Sequence, residues 1–277
     1  MRRLDLSQAV AVVTGAASGI GRATALALGR RGAALALVDR DADGLAATAD
    51  TLRQSGATVS THVLDVAHAD AVAALPEAVT TEHERATVLV NAAGVALAGR
   101  FEELTMEELR WLFEINFFGV VGLTKAFLPH LRAADAAQIV NVSSLFGIIA
   151  PAEQTAYVAS KFAVRGFSES LRHELEGTGV GVTVVHPGGV ATNISKRARV
   201  AAGADADEAA RKQARFDRVF LTTPPEVVGD AIADAVQKRK PRLLVASGAR
   251  SGAALQRLFP VRYWRFLRGG FDKLNAG

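Results

Sequence analysis

Tyr157 and Lys161 stand four residues apart in the run Thr155-Ala-Tyr-Val-Ala-Ser-Lys-Phe162, and Ser144 closes the β-branched run Gln138-Ile-Val-Asn-Val-Ser-Ser thirteen positions before the tyrosine. Residues four apart share one face of a helix, so the Lys161 ammonium can reach the surroundings of the Tyr157 hydroxyl. A phenol with an ordinary pKa of about 10 is a poor base at neutral pH, and a fixed neighbouring cation favours its phenolate. A serine at the end of an adjacent strand can hold a substrate oxygen while Tyr157 gives or takes that oxygen's proton. The chemistry this set of side chains serves is the interconversion of an alcohol and a carbonyl.

Such a proton transfer needs a hydride partner, and the amino-terminal region carries a candidate dinucleotide site. Ala9-Val-Ala-Val-Val-Thr-Gly15 is an apolar run ending at glycine, followed by Gly15-Ala-Ala-Ser-Gly-Ile-Gly21 and a helical pattern from Ala23 to Arg30. This reads as strand, glycine turn, helix. Glycines let the backbone approach a pyrophosphate, and the open N–H groups of a helix start favour an anion. The spacing is G-x-x-x-G-x-G rather than the G-x-G-x-x-G of the general fingerprint.

The elements that must position these groups alternate along the chain. Strands are predicted at 9–15, 34–39, 59–65, 87–92, 138–144, 180–186 and 242–247, and helices near 20–31, 42–55, 68–84, 105–132, 155–177 and 224–239. Alternation of this kind predicts a doubly wound α/β fold, a Rossmann-type parallel sheet of about seven strands with helices on both faces. The unbroken apolar runs Val88-Leu-Val and Val182-Thr-Val-Val suit strands buried on both sides. Gly15, Asp39, Asp65, Asn91, Ser144 and Pro187 then fall at carboxyl strand ends, where such sheets bind ligands.

Thr14-Gly-Ala-Ala-Ser-Gly-Ile-Gly21, Asn91-Ala-Ala-Gly94, Asn116, Ser144, Tyr157-x-x-x-Lys161 and Pro187-Gly-Gly-Val-Ala-Thr192 occur in one order. Together they resemble the short-chain dehydrogenase/reductase family, over roughly residues 5 to 247. The resemblance implies an NAD(P)-dependent oxidoreductase acting on a secondary alcohol or ketone through a tetrad of Asn116, Ser144, Tyr157 and Lys161. Tyr157 would be the acid/base, Lys161 would lower its pKa and bind the nicotinamide ribose, Ser144 would orient the substrate oxygen, and Asn116 would help hold a water. Ser143 competes with Ser144, and the thirteen-residue interval to Tyr157 selects Ser144. Cofactor contacts are implied for Gly15, Ser18, Gly19, Ile20, Gly21, Asp39, Arg40, Asp65, Val66, Asn91, Ala92, Gly94, Tyr157, Lys161, Pro187, Gly188, Val190 and Thr192. A homo-oligomer, dimer or tetramer, is implied in the same way.

Asp39, ending the second strand, can accept hydrogen bonds from the adenosine ribose hydroxyls and would repel a 2'-phosphate, so NAD is favoured. Arg40 keeps NADP open, because a guanidinium there can turn toward that phosphate. Ser18 occupies the position where many NADP users of the resembling family carry a basic residue.

Composition sets the outer bounds. The chain of 277 residues is 49% hydrophobic and 22% charged, enough for a substantial core in a single domain over 1–247. It has no cysteine, which excludes disulfides, thiolate catalysis and cysteine-ligated zinc. The six histidines lack metal-ligand spacing and read as surface or packing residues, so no metal is expected. No secretory leader pattern and no run of eighteen apolar residues is present, and a cytoplasmic location is expected. Two regions bear on the substrate, a basic segment at 193–222 that the resemblance makes a mobile lid, and a basic amphipathic extension at 248–277. Leu145, Ile148, Ala150, Val190 and Phe216 are the expected apolar walls. For the extension three roles stand open: packing on the body or a second subunit, a part in the pocket, or contact with a membrane surface. No nucleic-acid recognition module appears. A cofactor-sensing or membrane-surface protein on the same fold is the alternative to an enzyme.

Overall fold

The computed structural model describes residues 3–275, with side chains as far as residue 270. In chain order the strands are β1 (Val10–Thr14), β2 (Ala34–Asp39), β3 (Val59–Val63), β4 (Val88–Asn91), β5 (Leu97–Ala98), β6 (Ala137–Val142), β7 (Val180–Pro187), β8 (Arg199–Val200) and β9 (Arg242–Val245). Seven of them form one parallel sheet in the order β3-β2-β1-β4-β6-β7-β9, while β5 and β8 pair separately above its carboxyl edge. Parallel neighbours need a crossover between them, and the crossovers here are helices that cover both faces. These are α1 (Gly19–Gly29), α2 (Ala42–Gln54), α3 (Ala69–His83), α4 (Met106–Phe113), α5 (Gly119–Ala133), α6 (Thr155–Glu174), α7 (Ala206–Phe220), α8 (Pro225–Gln237), α9 (Ala249–Leu258) and α10 (Tyr263–Asn275).

Strand periodicity divides the core in two. Ala11, Val13, Leu35, Leu37, Val88 and Val90 point to one side, where they meet Leu28, Ile232 and Val236 of α1 and α8. Val12, Ala36, Val38 and Leu89 point to the other and meet Val79, Phe127 and Leu171 of α3, α5 and α6. Successive side chains on alternate faces, all apolar, are what an interior strand between two helical layers requires.

Three departures from the sequence expectations have local causes. The predicted strands 59–65 and 138–144 stop at Val63 and Val142. Asp65 Oδ1 accepts the Ala67 N–H at 3.0 Å and Ser144 Oγ accepts the Phe146 N–H at 3.0 Å, so each side chain turns the backbone out of the ladder. The predicted helix 105–132 is α4 and α5 joined through a π-helical turn, Glu114–Phe118, which carries Asn116. This continuous Met106–Ala133 segment has the length and mean hydropathy of a bilayer span. Its Leu112, Ile115, Leu123, Phe127 and Leu131 are nevertheless buried inside this domain.

Beyond 247 the chain does not leave the body. Gly248 (φ +78°) turns it into α9, whose Gly252 lies against Leu145 beside the active-site loop.

The closest helix pair is α1 with α8, where a methyl group on Gly229 would sit on the backbone of Ala23 and Thr24. Backbone on that side cannot yield as a side chain would. Gly229→Ala is expected to lower stability by about 1–3 kcal/mol, read as a reduced urea midpoint at unchanged slope. An unchanged midpoint would show that the two helices separate freely.

Candidate active site

The glycine turn and the turn after β4 are built as one unit. Thr14 Oγ1 accepts the N–H groups of both Ala92 and Ala93 at 3.1 Å, pinning the end of β4 to the end of β1. Gly15 has φ +67°, and a methyl group there would come within 2.9 Å of the Ala93 nitrogen. Gly21 lets α1 ride directly on the Gly15 carbonyl. Ser18 precedes α1 in extended conformation and makes no side-chain capping bond, which leaves the helix start open to the cleft. Thr192 closes over this turn from the other side, with Gly19 beneath its methyl. Close backbone approach and an uncapped helix start suit a pyrophosphate.

At the far end of this cradle Asp39 Oδ2 accepts the Ala17 N–H and Oδ1 the Asp41 N–H, each at 3.0 Å. Each oxygen keeps a second acceptor site. Arg40 Nη1 lies 3.7 Å from Asp65 Oδ2, and Val66 completes that end of the wall.

At the other end of the cleft Ser144, Tyr157 and Lys161 come together on one wall. The Ser144 hydroxyl lies near enough to that of Tyr157 to favour its ionised form. Lys161 is buried, its Nζ donating to the Val142 carbonyl at 3.2 Å and lying 5.6 Å from the Tyr157 ring centre. Ser143 is distinguished from Ser144 by its bonding, for its buried hydroxyl donates to the Lys161 carbonyl at 2.8 Å and so holds α6 against β6. Asn116 is fully buried in its π turn: Oδ1 accepts the Val95 N–H at 2.9 Å, and Nδ2 donates to the Val95 carbonyl and to Ser160 Oγ. It therefore ties the loop after β4 to α6. Turns of this kind are frequent at functional sites.

The electrostatics differ from the simple expectation. Burial pushes the Tyr157 hydroxyl up to about 12, against a downward pull from the Ser144 hydroxyl. Burial also brings Lys161 down to about 8. In the protein alone desolvation of the buried hydroxyl is the larger effect on the phenol, because burial disfavours its charged form.

The cleft has a volume of about 820 Å³ and runs from Asp39 to the carboxyl-terminal helices. Leu145 and Val190 line it as expected, and so does Phe216 on α7. Ile148 and Ala150 do not: Ile148 points into the core, Ala150 faces outward, and the wall residue of that loop is Ile149. Three basic residues of the segment over the cleft have partners close by. Lys212 reaches Glu153 at 3.3 Å and Glu208 at 2.9 Å, Arg197 reaches Asp41 at 3.6 Å, and Arg199 stacks 3.7 Å above the Trp111 ring.

Pro187 ends β7, and Gly188 and Val190 follow it along the cleft. Asn91 is placed elsewhere: its side chain donates to Thr124 Oγ1 and Asn141 Oδ1 in the interior, while Ala92 and Gly94 line the cleft. Three contributors had no definite part in the sequence reading. Thr14 was visible only as part of the motif. His186 is fully buried with Nδ1 2.9 Å from the Ser144 carbonyl, an arrangement that assigns Nδ1–H as donor, and burial brings it down to about 4 so that it stays neutral. The extension supplies Trp264 and Leu267 to the wall, and its Tyr263 hydroxyl accepts the Ala150 N–H at 2.9 Å. Aromatic residues at helical spacing hinted at burial without saying against what. The extension calls of the sequence stop short here, since the side chains from Phe271 onward lie outside the described residues.

Known proteins agree with this architecture. Residues 9–202 match the short chain dehydrogenase family. The chain is 42% identical over 266 residues to the putative oxidoreductase SadH of Mycobacterium tuberculosis, covering 95% of each. Among solved structures it is similar to a short chain dehydrogenase/reductase from Burkholderia phymatum in complex with NAD, at TM-score 0.84 and 31% identity, with 92% of this chain and 95% of that one covered. A short chain dehydrogenase from Burkholderia cenocepacia in complex with NADP gives TM-score 0.76 and 27% identity, with 89% and 100% covered. With its glycine cradle, its sheet order and its Ser144, Tyr157 and Lys161 on one wall, the chain belongs to the short-chain dehydrogenase/reductase family of NAD(P)-dependent oxidoreductases.

Proposed function

We propose that this protein interconverts a secondary alcohol and a ketone on an apolar substrate, with Tyr157 as acid/base and NAD as the preferred cofactor. The observation that carries the reading is the placing of Ser144, Tyr157 and Lys161 together on a cleft walled by Leu145, Ile149, Phe216, Trp264 and Leu267. A carbonyl oxygen seated between the two hydroxyls would be held by Ser144 and protonated by Tyr157. The nicotinamide ring of the bound cofactor would supply the hydride, or accept it in the reverse direction.

The residues present suit that cofactor. The cradle at Gly15 to Gly21 would take the pyrophosphate, Asp39 the adenosine ribose, and Thr192 with Lys161 the nicotinamide end. With the phenol pushed up to about 12, Tyr157 carries its proton at neutral pH and is ready to act as an acid. In the alcohol-to-ketone direction it must lose that proton, and the positive charge of Lys161 is then what favours the phenolate. His186, by holding the Ser144 carbonyl, and Asn116, by fixing Val95 and Ser160, keep the wall in register. Asp39 supports NAD because its carboxylate lines the cleft and the neighbouring Arg40 is drawn toward Asp65.

Tyr157→Phe is expected to reduce turnover of a ketone panel by about 10²–10⁴ while leaving NADH binding unchanged, since it deletes one hydroxyl used in proton transfer. Turnover near the wild-type value in that variant would reject the mechanism.

Asp39→Ala is expected to shrink the ratio of NADH to NADPH efficiency by about tenfold. The ratio is the right readout, because loss of the Ala17 and Asp41 contacts weakens both cofactors alike. An unchanged ratio would remove Asp39 from cofactor choice.

Lys161→Met is expected to abolish turnover yet raise the stability of the ligand-free protein at pH 7 by about 1–3 kcal/mol. The sign follows from a folded-state pKa of about 8 against an ordinary 10.5. Below pH 8 the native protein bears the full cost of the buried charge. Between these values the unfolded chain binds more protons, so the wild type gains stability with pH and the gap to the variant narrows. Thermal melts from pH 7 to 10 check this, and a gap that widens with pH would contradict the burial account.

A further inference from the structure

We propose that the turn between α9 and α10, together with the outward face of α10, seats on the surface of an anionic lipid bilayer. Leu258, Val261 and Phe266 are 72%, 89% and 61% exposed, and Phe259 packs its ring 5.2 Å from that of Phe266 at 43% exposure. The same helix directs Trp264 and Leu267 inward to the cleft wall. Phe266 thus faces outward beside the apolar turn, and the ordinary amphipathic pattern of a surface helix, which accounts for the inner face, does not account for it. Large apolar side chains left outside in one contiguous place mark a docking surface.

Charge selects the occupant. From residue 235 to residue 275, where α10 ends, the chain contains ten Lys or Arg and one carboxylate, Asp272. Arg257, Arg262, Arg265 and Arg268 are all exposed around the apolar turn. Their stems can lie along the apolar side chains while the guanidinium groups reach outward to phosphates. A second copy of this chain fits poorly, because a two-fold contact would set this arginine cluster against itself with Asp272 as the one carboxylate in the segment. A bilayer carrying anionic headgroups satisfies both the apolar residues and the arginines. Anchorage is firm enough for the role, since the Tyr263 hydroxyl holds the Ala150 N–H and α9 packs on Leu145. The docking does not depend on which alcohol or ketone the cleft takes.

The test is sedimentation of the full chain with vesicles of phosphatidylcholine alone and of phosphatidylcholine mixed with phosphatidylglycerol, at low and high salt. The expected result is binding that requires phosphatidylglycerol and weakens with salt. It should fall by about tenfold or more in Val261→Asp/Phe266→Asp and, separately, in Arg262→Glu/Arg265→Glu. NADH binding and melting temperature of both variants should match wild type, which shows that the fold is intact and separates this outcome from any failure of the dehydrogenase reading. No binding to the mixed vesicles, or variants that bind as wild type does, would overturn the proposal. So would light scattering in which Val261→Asp/Phe266→Asp dissociates an oligomer, because a second subunit would then cover this face.

Discussion

The working parts of this protein depend on one topological constraint, that parallel strands can be joined only by crossovers running back over the sheet. Every strand of the seven-stranded sheet therefore points the same way, and every carboxyl end opens onto one edge. Groups as distant in the chain as Gly15, Asp39, Ser144 and Thr192 meet there because the connections leave no other place for them. The apolar side chains of the strands do no chemistry. They supply two buried layers stiff enough to hold that edge, and the close α1–α8 contact at Gly229 shows how little slack is left.

Above the edge, polar side chains rather than apolar packing set the geometry. Thr14 joins the first two turns, Asn116 joins the loop after β4 to α6, Ser143 joins α6 to β6, and His186 holds the residue that carries the Ser144 hydroxyl. All four are buried, and each satisfies backbone groups that could not otherwise be taken out of water. Lys161 is the exception. Among the described residues its ammonium is buried beside one carbonyl with no carboxylate, and its depressed pKa reports that cost. A site that holds an uncompensated charge in the ligand-free state is poised for a partner that compensates it.

The carboxyl-terminal helices change the character of the cleft. Without Trp264 and Leu267 the substrate end would be framed by the lid and the loop after Ser144; with them it gains an apolar back wall. The lid contributes few buried apolar contacts of its own and is fastened by ion pairs, among them the pair of Lys212 with Glu153. Exposed pairs of this sort are weak, so the lid is held loosely beside a wall that is held firmly.

The grouping of Tyr157 with Lys161 was legible in the sequence because its information is local. Tyr157 and Lys161 share a face through helical periodicity, and the glycine turn between strand and helix is written in consecutive residues. The doubly wound sheet followed from alternation for the same reason. Other features depend on partners far away in the chain. That Asn91 turns inward to Thr124 and Asn141, that Ile149 and not Ile148 meets the cleft, and that Asn116 sits in a π turn are outcomes of packing between elements. The extension is the clearest case: its aromatic and arginine residues left three roles open, with packing on the body or a second subunit foremost, and the tertiary contacts to Ala150 and Leu145 are what set it along the cleft. Local spacing determined which groups could react, whereas their burial, and with it the protonation of Tyr157 and Lys161, was decided by tertiary structure, because desolvation depends on everything packed around a group.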